Sequence, residues 1–473
     1  MGSLSYRPRT DVLSLGDGFF DEVKPADFPR AVLRHRDQDA AREVGLDDLG
    51  EVAWEAAFAR FSPLERNLPK PLALRYHGHQ FGSYNPQLGD GRGFLFAQLQ
   101  DGQGRLLDLG TKGTGTTPWS RGGDGRLTLK GGVREVLATS MLEALDVTTS
   151  RSLSLFETGE ALYRNDEPSP TRSSVLVRLS HSHVRFGSFQ RLAHARDAAR
   201  MRRLVDYVIE RFYPELQSDP QPVFSLLRAV AERHARTTAE WMVAGFVHGV
   251  LNTDNMNITG ESFDYGPWRF LPTYDAEFTA AYFDHTGLYA YGRQPGTILW
   301  NLTRLGEALR TLEPSLAVGK ALAEFETSFV RETRRALLGR LGLRSAGVAI
   351  DDALIGEVFA FLEVTQLPFD RLFFDWFGGE ASAARAASGV WHEAYERPEF
   401  TALRGHLALF EPTCAALLEG PAFSREAPVT MHKDEVERVW EAIDARDDWE
   451  PLSRKLADVA ELKKALSASR QRA

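Results

Sequence analysis

Cysteine is almost absent: Cys414 is the one thiol in 473 residues. No internal disulfide can form, a zinc site built from several thiolates is excluded, and a reducing compartment, the cytoplasm, is the expectation. Long apolar runs are missing too, none approaching the roughly 18 residues of a spanning helix. Residues Met1 to Tyr6 lack the charged start, apolar stretch and small-residue cleavage site of a signal peptide. Gly2 makes a weak myristoylation signal, because position 6 is Tyr rather than Ser or Thr. Clustered positive charge is lacking as well. The formal charge is -9 and no basic block stands out, which excludes general binding to a phosphate backbone; neither nucleic acid nor membrane is an expected partner. There is no internal repeat, low-complexity tract or Pro/Ser-rich linker. The remainder is an ordinary globular balance, 43% hydrophobic and 26% charged, long enough for two or three cores.

The character of the chain changes near its middle. Up to about Leu192 it is rich in Gly and in short alternating runs. Phe94 to Leu99, then Asp101-Gly102-Gln103-Gly104, then Leu106 to Leu109 predict a strand, a tight turn and a second strand. Val133, Val136, Leu137 and Met141 recur at helical spacing, which predicts an amphipathic helix over Gly132 to Leu145 that carries Glu135. Beyond about Arg196 helical patterns dominate, as in Arg200 to Phe212, Val223 to Val247 and Asp434 to Leu466; Ser467 to Ala473 is expected to fray. A β-rich part, residues 1–192, followed by a helical part, residues 193–473, predicts an α+β fold of two lobes around a ligand cleft.

Four stretches could carry chemistry. Gln87-Leu88-Gly89-Asp90-Gly91-Arg92-Gly93 is either an ordinary turn or a loop whose backbone N–H groups approach an anion, since no Cβ blocks the way and positive φ is open to Gly. It is not a Walker A loop. Lys112 ends the second strand of the hairpin, where it is either a surface lysine or a point charge for phosphate held by Glu135. Between them, Thr114 to Arg126 is too polar and Gly-rich for a core, and either contacts a ligand or is mobile surface. Arg178 and Arg185 could grip a polyphosphate in the two-pronged manner of guanidinium groups, or form surface ion pairs. The pairs His77/His79 and His181/His183 lack carboxylates or thiols at metal-site spacing and are read as structural; His392-Glu393 has no second His to make a zinc-protease motif.

The fourth stretch, HGVLNTDNMNITGESFDYGP from His248 to Pro267, is similar to the catalytic loop of kinase-like phosphotransferases with one acid moved. Val250 stands where such enzymes carry their Asp. Asn255 is in place, Asp254 precedes it directly, and a second acid follows at Asp264. Asn255 with Asp264 makes an oxygen-ligand pair of the kind Mg²⁺ takes beside nucleotide phosphates. Asp254 is left to accept a proton from an attacking hydroxyl. The bland alternative is an Asx-rich turn.

Taken together, YHGHQFG, QLGDGRG, LGTKGTGTTPWSRGGDGR, VRLSHSHVRFG, FVHGVLNTDNM and FDYGP resemble, in order, the selenoprotein O family of protein adenylyltransferases with a protein-kinase-like fold. The match runs from about Tyr76 to Pro267 and fades beyond it. The resemblance implies ATP held in reverse of the kinase orientation, so that the α-phosphate faces the acceptor and AMP passes to Ser, Thr or Tyr hydroxyls of proteins, with some self-modification. By motif, Gly89, Gly91, Arg92, Lys112, Asp124, Gly125, Arg178 and Arg185 would contact the nucleotide. Asp254 would be the base, Asn255 and Asp264 the Mg²⁺ ligands (Mn²⁺ serving in its place), and Glu135 the partner of Lys112. Many members carry a cysteine or selenocysteine near the C-terminus that is tied to redox control, and this tail has neither. A small-molecule kinase of the aminoglycoside phosphotransferase type and a catalytically silent ATP-binding scaffold are the competing readings.

Overall fold

Thirteen strands precede or interleave with the helices in a computed structural model that describes residues 5–165 and 167–471. The expectations for Met1 to Leu4, including Gly2, and for the last two residues of the tail lie outside the described residues. In chain order the strands are β1 Pro8–Arg9, β2 Phe20–Glu22, β3 Val32–Arg36, β4 Leu72–Leu74, β5 Gly78–Gln80, β6 Ser83–Asn85, β7 Leu95–Gln100, β8 Leu106–Lys112, β9 Leu127–Thr128, β10 Arg151–Leu162, β11 Thr171–Ser180, β12 Phe246–Val247 and β13 Arg269–Phe270. Nine of them form one antiparallel sheet in the order β2-β4-β7-β8-β11-β10-β3, with β1 on β7 and β9 on β11.

The expected hairpin is β7–β8, with Leu99 opposite Leu107. Its turn closes because Asp101 accepts from the backbone N–H groups of Gln103 and Arg105 while Gly104 takes φ of 82°. Both faces of the sheet are covered, and strand alternation sorts the side chains. Leu95, Leu155 and Leu176 face the core shared with helix Leu129–Ala144, whereas Phe96, Phe156, Val175 and Val177 face Trp54 and Phe58 of helix Glu51–Phe58. Helix Leu129–Ala144 begins where Thr128 caps the N–H of Gly131 and buries Val133, Val136, Leu137 and Met141, the four positions of the sequence pattern.

The back half is helical, and three of its elements differ from the sequence expectation. Helix Pro222–Ala244 stops three residues before Val247, because Gly245 turns left-handed (φ 66°) and Phe246–Val247 pairs with β13 instead. The stretch after Asp434 is two helices, Lys433–Arg446 and Glu450–Arg470, broken at Asp447 with φ of 51°. The tail does not fray from Ser467: the helix runs on to Arg470, with Leu466 and Ser469 buried and the Ser469 hydroxyl bonded to Thr413. Docking against the body supplies what the polar sequence does not announce. The described fold is thus mixed α and β, with one large antiparallel sheet. No helix among the described residues is long and apolar enough to cross a membrane.

Candidate active site

A cavity of about 870 Å³ opens between the sheet and the loop after β12, lined among others by Gly89, Gly91, Arg92, Lys112, Asp124, Gly125, Asp254, Asn255 and Asp264. The sequence scattered these over some 175 positions. Glu135, Arg178 and Arg185 stand directly behind that wall rather than on it.

Strand pairing sets the floor. β11 runs antiparallel to β8 with Arg178 opposite Gly110 and Leu176 opposite Lys112, so both cations rise from adjacent strands. Lys112 bonds Glu135 on helix Leu129–Ala144 and lies 2.8 Å from Asp264 Oδ1; Arg178 Nη1 approaches the same oxygen at 3.3 Å. Lys112 and Arg178 are both buried, so neither the surface-lysine nor the surface-ion-pair alternative describes them. Asp264 itself adopts φ of 66°. Burial pushes its carboxyl up, but Lys112, Arg178, Arg92 and Arg185 outweigh that and hold it well below the usual carboxylate range. It is ionised, and two of the cations around it are shared with other carboxylates, Lys112 with Glu135 and Arg185 with Asp90.

The second wall comes from a short crossing. Phe186 N–H donates to Met256 O and Ile258 N–H to Val184 O, which lays Arg185 across the loop of Asp254. Arg185 Nη1 donates to the main-chain oxygen of Asp254 at 3.0 Å, Nη2 lies 3.2 Å from Asp90, and the guanidinium sits 4.4 Å above the ring of Tyr76. Asp254 occupies a single 3-10 turn, Thr253–Asn255, and its Oδ1 is buried with no hydrogen-bond partner among the described residues. Burial raises its carboxyl to about 6, against the opposing pull of Arg185. Asn255, which also lines the cavity, donates from Nδ2 to Val250 O at 3.0 Å, so its amide oxygen is not used in that bond.

The Gly-rich loops work differently from the sequence expectation. Gly89 and Gly91 do not use positive φ; a Cβ on Gly89 would stand 2.4 Å from Trp119 Cγ, and one on Gly91 2.8 Å from Trp119 O. They admit the Trp119 crossing, which is pinned by Trp119 Nε1 donating to Asp21 at 2.9 Å. Gly125 does need its left-handed φ of 68°, and its Cα passes so close to Gly115 that any Cβ would overlap the carbonyl. Asp124 is half-exposed at the rim, where it accepts from Arg126 N–H and pairs with Arg164 at 2.8 Å.

Several contributors carried no signal read from the sequence. The β5–β6 hairpin clamps the catalytic-type loop: His79 N–H donates to Thr253 Oγ1, Phe81 N–H to Asn252 Oδ1, and Thr253 Oγ1 to Gln190. Tyr289 O–H donates to the same Asn252 oxygen at 2.7 Å. YHGHQFG marked this hairpin as a motif without revealing its partners. The histidines stay structural in their contacts, His77 with Tyr84 and His79 with Gln190. Among the described residues no three His, Cys, Asp or Glu side chains group as metal ligands.

Comparison with known proteins puts a family to this geometry. The family model "Protein adenylyltransferase SelO" matches residues 1–460. The chain belongs to that family. It is 45% identical over 467 residues to "Protein nucleotidyltransferase YdiU" of Gloeobacter violaceus, covering 95% of this chain and 93% of the relative. Proteins of the same name from a Synechocystis species and from Trichodesmium erythraeum are each 42% identical, each covering 95% of this chain and 97% of their own length. This member of the SelO family is therefore an enzyme of the protein nucleotidyltransferase class. The likeness also extends well past Pro267, where the quoted motifs end.

Proposed function

We propose that this chain transfers AMP from ATP to Ser, Thr or Tyr hydroxyls of proteins, its own included, in the cytoplasm. Residues 1–192 and 193–473 act as the two lobes of a kinase-like fold, with ATP reversed so that its terminal phosphates lie deepest. Lys112, Arg178 and Arg185 offset the charge of the β- and γ-phosphates, with Arg92, Gly89, Gly91, Asp124 and Gly125 along the nucleotide. Glu135 orients Lys112. Asn255 and Asp264 have the oxygen donors to hold Mg²⁺, or Mn²⁺ in its place, which would supply charge neutralisation at the phosphates.

In the transfer step the acceptor O–H gives its proton to Asp254 while its oxygen bonds to the α-phosphorus. The bond from that phosphorus to the bridging oxygen breaks, and pyrophosphate leaves with the electron pair. The buried cations stabilise the leaving charge. The observation that carries this reading is Asp254 Oδ1, buried and unpartnered at the wall of a cavity in whose lining Arg92, Lys112, Arg121, Arg126 and Arg164 outnumber Asp124, Asp254 and Asp264. A carboxyl raised to about 6 is a stronger base than an ordinary Asp and still ionised at neutral pH. Val250, where a kinase base would stand, offers no proton acceptor.

ATP labelled separately at its α- and γ-phosphates tests this. Label from the α position retained on protein is expected. Label from the γ position would mean a kinase, and no label on protein would mean a scaffold; either overturns the proposal.

A further inference from the structure

Next to the cavity, on the other side of Gly266 and Pro267, lies a second groove of about 350 Å³, and those two residues line both. Its charged lining is unbalanced. Lys130, Arg134 and Arg269 stand against Glu167 and Glu437, and Glu437 is already paired with Lys130 at 2.7 Å. The two guanidinium groups are fixed through main-chain oxygens instead. Arg134 donates to Gly266 and Trp268, both at 3.2 Å, and Arg269 to Pro267 at 3.1 Å and Trp268 at 2.9 Å. Carbonyl oxygens orient such groups without cancelling their charge.

The far side of the groove is apolar and open. Tyr282 and Phe283 are 74% and 41% exposed and pack edge to face at 5.1 Å, with Phe283 also 5.9 Å from the ring of Phe81. Exposed adjoining aromatics beside oriented guanidinium groups are the composition of a protein-recognition surface, in which Tyr and Arg are over-represented.

We propose that this groove holds the stretch of the acceptor protein that flanks the modified hydroxyl, and that it selects acidic side chains there. The inference rests on the transfer reading above and adds the class of substrate. Because the groove shares Gly266 and Pro267 with the cavity, an extended segment rising about 3.3 Å per residue can place its hydroxyl at Asp254 and an Asp or Glu within about four residues among Arg269, Arg134 and Lys130. Tyr282 and Phe283 cover the apolar part of the same segment.

A proteome-derived peptide mixture incubated with the full chain, ATP and Mg²⁺, with AMP sites mapped by mass spectrometry, tests it. Asp and Glu are expected to be enriched within four positions of the modified residue. Arg269→Glu and Lys130→Glu should each lower transfer to acidic peptides by roughly tenfold relative to neutral ones, with ATP affinity unchanged. Absence of acidic enrichment overturns the proposal, as does enrichment that survives both substitutions, or AMP found on whole proteins but on no peptide. If melting shows that Arg269→Glu fails to fold, the partly exposed Lys130→Glu decides alone. AMP on no protein at all strikes the transfer reading instead, so the two failures are told apart.

Discussion

Asp254 and Asp264 are ten residues apart in sequence and opposite in electrostatic setting. Asp264 is held ionised by Lys112 and Arg178, while Asp254 keeps a buried oxygen free and a raised carboxyl. Two neighbouring acids driven apart in this way suit different tasks, one to hold a cation and one to exchange a proton. Asp254→Ala is therefore expected to lower AMP transfer by about 10²–10⁴ while ATP binding stays within a few-fold, checked by α-label transfer beside calorimetric titration with ATP. Equal activity in the variant would remove Asp254 from the mechanism. Gly89 gives a second residue-scale outcome. Gly89→Ala drives a Cβ into the Trp119 ring, an overpacking cost of about 1–3 kcal/mol that moves the Thr117–Arg121 loop over the cavity. ATP affinity should weaken with little change in melting temperature; a Trp119→Ala, Gly89→Ala pair that binds ATP no worse than Trp119→Ala would show that the collision is the cause.

At the scale of elements, what the sequence disclosed follows from whether each signal is local. The β7–β8 hairpin and helix Leu129–Ala144 were legible because turn glycines and a 3.6-residue apolar spacing are written in neighbouring positions. So was the Lys112–Glu135 pair, since strand and helix follow one another. Gly245 ended a helix whose apolar pattern ran on, because the competing pairing with β13 lies more than twenty residues away. The clamp of the β5–β6 hairpin on Thr253 spans 174 positions and leaves no local trace. The junction of the last two helices is of the same kind. Glu157 on β10 is bound at 2.7 Å by two donors of Arg172 and by Arg34, and both arginines also reach Asp447 at the helix break. Burial pushes the Glu157 carboxyl up, but Arg172 and Arg34 outweigh it and hold it below its ordinary value. A lowered carboxyl contributes stability that is present above its unfolded value near 4.5 and lost as pH falls through the folded one. Arg172→Gln should therefore cost about 1–2 kcal/mol at pH 7 and far less near pH 3, read from denaturant melts at the two pH values. A penalty independent of pH would assign Arg172 a packing role only.

Across the whole molecule, the apolar cluster that backs the site runs from Val12 to Val459. It joins the inner face of the sheet, helix Leu129–Ala144 and the final helix, so the lysine-holding Glu135 rests on side chains from both ends of the chain. Lys463 adds an ion pair at 2.8 Å to Glu143 on that helix, and Arg470 approaches Asp146 at 3.4 Å. Leu466, with Phe374, Phe377 and Phe423, forms the adjoining cluster against which Leu145 packs. Leu466→Ala removes buried methyl groups at a point far from any group that meets ATP, and such deletions cost about 2–5 kcal/mol. Because the support for helix Leu129–Ala144 is shared, the loss is expected to lower one cooperative melting transition, measured by calorimetry, with AMP transfer retained at temperatures below it. Two resolved transitions, with only the later-melting one unmoved, would mean instead that the final helix and the sheet unfold as separate units and that Glu135 does not depend on the C-terminal end.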